Sequence, residues 1–182
     1  MKAMLFPGIL FLVAAFAGVP GAQTPQSAVA LFYNHYFKLK VSGIPDAKAR
    51  HRLDDVITPE LSDALGKADD AEAFYAHETN HEVPPVFEGD PFTSLFEGAT
   101  SYTLDDCDIN GPAASCHIDL TYSDRASDGV TRWRDTLILT KLDGLGWRID
   151  DIEYGGTWAF GNKGRLTTLL KDVEFQAHSV TH

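Results

Sequence analysis

Residues 131–154 constrain the fold more than any other part of the chain, because they read as two β-strands joined by a tight turn. Trp133, Asp135, Leu137 and Leu139 fall on one face of the first strand, and Trp147 and Ile149 begin one face of the second. Between them, Asp143-Gly144 is a hairpin signal, since glycine supplies the positive φ such turns need. A hairpin with one apolar face must be covered. The period-two pattern extends upstream, predicting four strands near residues 99–107, 115–123, 130–141 and 146–154. Short connections between them require antiparallel pairing.

Helical signals precede these strands. Thr24-Pro25 supplies an N-cap and a first-turn proline, and Ala28, Leu31, Phe32, His35, Tyr36 and Leu39 follow at helical spacing. Gly43 and Pro45 end this aromatic helix, and a short helix is expected over 46–57. Thr58-Pro59 repeats the start signal for a third, running to about His81 before Pro84-Pro85. Residues 86–98 break into turns. Asn162 is the expected cap of a last helix carrying Leu166, Leu169, Leu170 and Val173. Helices followed by a run of strands predict an α+β domain: a curved antiparallel sheet of about four strands against N-terminal helices, with a short C-terminal helix.

Residues 1–22 read as a signal peptide, with Lys2, an apolar run over 9–16, and small residues at Ala17, Gly18, Gly21 and Ala22. Residues 23–182 are then a single domain, periplasmic or secreted, with no later stretch apolar enough to span a membrane. Export places Cys107 and Cys116 in an oxidising compartment. Their position on two strands flanking Asn110-Gly111-Pro112 predicts a cross-hairpin disulfide. A net charge of −11 repels phosphate backbones and argues against nucleic acid as a partner.

Four groups of residues carry chemical possibilities. His77-Glu78-Thr79-Asn80-His81 matches H-E-x-x-H, in which two histidines four apart on a helix share zinc and the glutamate acts as base. A third ligand is required, for which Glu88, Asp90 or Glu97 are candidates. The motif lies at a helix end just before Pro84-Pro85, where His77 and His81 would instead complement the helix dipole. Asp106-Cys107-Asp108-Ile109-Asn110-Gly111 begins like a calcium loop, but its twelfth position is His117 in place of a bidentate glutamate. Around Asp150-Asp151, the residues Arg148, Arg132, Arg134 and Asp135 suggest cross-strand ion pairs; the alternative makes Asp135 a general base beside Trp133. Tyr33, Tyr36 and Trp133 are the candidates for lining a ligand pocket. Nucleotide-binding glycine loops and G-x-S-x-G are absent.

The run from Pro84 to Ser94, Trp133-Arg134-Asp135, and the run from Gly146 to Gly155 resemble a family of small exported bacterial proteins of unknown function. That family is related to the nuclear-transport-factor-2-like, cystatin-like superfamily. The resemblance spans residues 27–172 and implies a curved sheet wrapped around helices, often with a cavity between. The superfamily includes isomerases, dehydratases and pure binding domains, and no catalytic residue is carried over. The expectation is therefore a non-catalytic binding module without a cofactor, taking an unknown small molecule or protein. The alternatives are an enzyme using zinc at His77 and His81 or the Asp135 carboxylate, and an envelope interaction or immunity protein.

Overall fold

The computed structural model describes residues 22–124 and 129–179. The expected leader therefore lies outside the described residues except for Ala22, whose carbonyl accepts the Trp147 N–H at 3.0 Å. The elements run α1 (Pro25–Leu39), α2 (Ala47–His51), α3 (Pro59–Glu78), β1 (Ser101–Asn110), β2 (Ala113–Ser123), β3 (Val130–Leu142), β4 (Gly146–Glu153) and α4 (Leu166–His178). The strands form one antiparallel meander in the order β1-β2-β3-β4, and the α+β reading holds.

Local chemistry sets the first helix starts. The Thr24 hydroxyl accepts the Ser27 N–H, and the Ser27 hydroxyl accepts the Thr24 N–H, each at 3.1 Å. These satisfy donors that a helix start otherwise leaves open. Thr58 caps α3 in the same manner, accepting from Leu61 N at 3.1 Å. Two helix ends depart from expectation. The 46–57 helix stops at His51, because Ile57 leaves the helical path to bridge Ile149 beside β4. α3 stops at Glu78 because Asn80 and His81 take positive φ, 51° and 58°.

Register places Tyr102, Leu104, Cys116, Ile118, Leu120, Trp133, Asp135, Leu137, Leu139, Ile149 and Ile152 on the covered face. A break in the β3–β4 register between Ile138 and Leu139 pairs Ile138 with Asp151 and Leu139 with Ile149. Asp150 is thereby extra, which lets Ile152 face Leu137 and frees Asp151 for the opposite side. Asp151 then caps α4, accepting the Thr167 N–H at 3.0 Å and its hydroxyl at 2.8 Å. Asn162, the expected cap, is used elsewhere: its amide donates to the carbonyls of Asp90 and Thr93.

α1 lies across the covered face. Phe32 and Phe92 meet edge to face at 5.8 Å, and Tyr33 stacks on Tyr102 at 4.1 Å. Burying each phenylalanine contributes about 2–3 kcal/mol. The uncovered face is polar. There Arg134 grips Asp119 through two nitrogens, at 2.8 and 3.0 Å, and reaches Asp105 at 2.8 Å. Of the expected cross-strand pairs only Arg134 makes one, and with β1 and β2 carboxylates; among the described residues neither Arg132 nor Arg148 pairs with Asp150 or Asp151, and Asp150 accepts from Thr58 instead. Cys107 and Cys116 face each other across β1 and β2 and are joined by a disulfide. Among the described residues no helix is long and apolar enough to cross a membrane.

Candidate ligand-binding site

Two carboxylates are buried beneath the loop between α3 and β1. Asp90 is 5% exposed and Asp135 1%. Charge at such depth is costly unless it is hydrogen-bonded or paired, so the partners of each decide what it can do.

Asp135 is saturated. One oxygen accepts the Ser94 hydroxyl and the Gly155 N–H, the latter at 2.9 Å. The other accepts the Ser94 N–H and the Trp133 indole N–H, both at 2.9 Å. Gly156 N–H completes the knot on the Ser94 hydroxyl at 2.9 Å. Four donors occupy the lone pairs that a general base would need. The arrangement ties β3 to the loops on either side.

Asp90 is placed differently. One oxygen accepts the Phe92 N–H, turning the loop, and the other accepts the Tyr36 hydroxyl; both bonds are 2.7 Å. Tyr36 in turn accepts the Ala99 N–H at 2.8 Å. Gly98 passes so close that a β-carbon there would stand 2.6 Å from the Asp90 carboxylate and 2.9 Å from the Tyr36 hydroxyl, and its φ of +81° favours glycine as well. Among the described residues Asp90 has no lysine, arginine or histidine partner. Desolvation is the main reason its pKa rises from 3.8 to about 7, with the Asp135 charge adding to it and the Tyr36 and Phe92 bonds opposing it. Burial also pushes the Tyr36 hydroxyl well above its ordinary range.

This pair floors an open recess of about 210 Å³ at the end of α1, walled by Phe37 and Val41 and rimmed by Lys40 and Glu97. A larger depression of about 480 Å³ lies between α3 and residues 42–44 and 81–87. Its carboxylates are already committed: Asp69 to Arg50 at 2.7 Å, and Glu72 to the N–H groups of Val86 and Phe87. Of the two, the smaller recess is the one bordered by a buried carboxylate that has no cationic partner among the described residues.

The expected pocket residues separate. Tyr36 reaches the recess. Tyr33 is wholly buried among rings, its hydroxyl without a hydrogen-bond partner among the described residues. Trp133 donates to Asp135 and borders a separate open depression of about 430 Å³ beside Asp119 and Arg132. His77 is exposed and meets the neighbouring Glu78 at 3.0 Å. His81 lies past the end of α3 and lines the larger depression, so the two histidines do not share a helical face. Among the described residues the grouping of three ligand atoms within 4.8 Å is Asp106, Asp108 and His117, on the hairpin that carries the disulfide. Sequence reasoning named Asp90 only as a spare zinc ligand. No local signal links it to Tyr36, 54 residues away.

Comparison with protein-family models, curated proteins and solved structures finds no match. The fold and site together are those of an α+β domain in which a meander sheet covers an aromatic helix, with a carboxylate–tyrosine pair lining an open recess.

Proposed function

We propose that this chain is a non-catalytic binding module that works in the periplasm or outside the cell and takes a small ligand in the recess above Tyr36 and Asp90. One observation carries this reading: a buried carboxylate without a cationic partner among the described residues borders an open recess. The saturated state of Asp135 supports binding over acid–base catalysis. The N-terminal leader pattern and the Cys107–Cys116 disulfide support an oxidising compartment. A sheet covering an aromatic helix accords with kinship to the nuclear-transport-factor-2-like superfamily, which remains part of this proposal.

A fragment screen read by amide chemical shifts tests it. The expected result is that bound fragments shift residues 36–41 and 90–99. Hits confined to the depression lined by Ile44, Val83 and Phe87 would replace the small-ligand reading with docking of a partner segment. Hits at neither place would end the recess reading.

A further inference from the structure

The recess offers a ligand two kinds of contact. Asp90, buried and bonded to Tyr36, lines it, and Glu97 stands exposed at the rim. Phe37 and Val41 supply apolar wall. An ionised carboxylate offers about four lone-pair directions over its two oxygens. Asp90 uses two of them, for Tyr36 and Phe92, which leaves acceptor capacity but no donor. A site built from acceptors, negative charge and aromatic wall complements a cation with N–H donors and a short carbon chain. The volume, about 210 Å³, is below that of sites for drug-sized ligands and suits a molecule of a few heavy atoms.

We infer that this recess binds a small primary ammonium, whose N–H groups donate to Asp90 with Glu97 closing over it and whose carbon chain lies against Phe37 and Val41. The inference rests on the small-ligand reading above and names the ligand's class. The charged and titratable groups around Asp90 bear on it unequally. Glu97 adds attraction. Asp135, from β3, raises the cost of a second buried negative charge, which an incoming cation offsets. Tyr33, Tyr36 and Tyr154 feel the Asp90 charge, and burial holds all three hydroxyls in the neutral form. Lys40, exposed at the rim and in no ion pair among the described residues, opposes a cation. Ammonium binding requires ionised Asp90, so below pH 7 each binding event displaces the Asp90 proton to solvent.

The probe is butylammonium chloride, titrated into ¹⁵N-labelled protein, with butyrate and 1-butanol in parallel. Butylammonium is expected to shift residues 36–41 and 90–99 at pH 8 and to bind about tenfold more weakly at pH 6, because the ionised fraction of Asp90 falls by that factor. Asp90→Asn is expected to abolish the shifts. Lys40→Gln is expected to tighten binding by about threefold, the opposite of what general damage to the site would do. Should Asp90→Asn not fold, the pH pair and Lys40→Gln decide. Equal affinity at the two pH values overturns the inference. Butyrate or butanol binding there as well as butylammonium overturns the cation class and leaves the recess standing. No shift with any probe at these residues overturns the inference and the small-ligand reading together.

Discussion

Tyr36 donates its hydroxyl hydrogen to Asp90 at 2.7 Å, joining the last turn of α1 to a loop that follows α3. The bond is buried and holds the loop against the helix, and both of its residues line the recess. Much of the chain's measurable behaviour centres on this contact and on the second buried carboxylate beside it.

Stability should fall with rising pH through Asp90. Its folded pKa of about 7 exceeds the ordinary 3.8, so the folded state holds a proton that the unfolded state has released. The cost is absent below pH 3.8, grows by roughly 1.4 kcal/mol per pH unit between the two values, and is complete above 7. Urea unfolding at several pH values, compared with Asp90→Asn, checks this. The variant should lose most of the decline between pH 4 and 7. An unchanged slope would contradict the assignment to Asp90.

Asp135→Ala should be among the most damaging single changes. It leaves four donors, from Ser94, Trp133 and Gly155, without an acceptor in the interior. Each buried unpaired group costs about 1–3 kcal/mol, so a loss of at least ~3 kcal/mol is expected by chemical denaturation. A loss under ~1 kcal/mol would show that the knot is dispensable.

Tyr33→Phe should behave in the opposite sense. The hydroxyl is fully buried without a partner among the described residues, so removing it deletes a desolvated polar group and leaves the ring stack on Tyr102 intact. Stability should stay level or rise by about 1 kcal/mol. A loss of ~1 kcal/mol or more in thermal or urea unfolding would reveal a bond from that hydroxyl to ordered water.

Removing the disulfide tests how far the β1–β2 hairpin depends on it. The bridge spans nine residues of sequence and joins a directly facing pair. Cys107→Ser with Cys116→Ser should lower stability by about 2–3 kcal/mol under oxidising conditions. Adding reductant to the double variant should change nothing further, whereas the parent protein should lose a similar amount.

Much of the fold is written locally. Thr24-Pro25 and Thr58-Pro59 start their helices where caps and first-turn prolines dictate. Alternation through β3 brings Trp133, Asp135, Leu137 and Leu139 to one face, and Asp143-Gly144 turns the chain. The facing cysteines follow from counting outward from the turn at Gly111-Pro112, whereas alternation from Tyr102 and Leu104 would bring Asp106 to that face but for a register shift between Leu104 and Cys107. These features depend on neighbours within a few residues, so sequence alone determined them.

What only the tertiary structure decided involves partners far apart in the chain. The register shift at Asp150 is not visible in the period-two pattern, and it is Asp151, buried beside α4, that caps this helix in place of Asn162. Asn162 instead fastens the Asp90 loop. The helix end that separates His77 from His81 comes from positive φ at Asn80 and His81, which H-E-x-x-H spacing does not disclose. Asp90 and Asp135 look alike as letters. One became a saturated clamp and the other a carboxyl group with a raised pKa beside a recess, because desolvation and hydrogen-bond supply are properties of the folded surroundings.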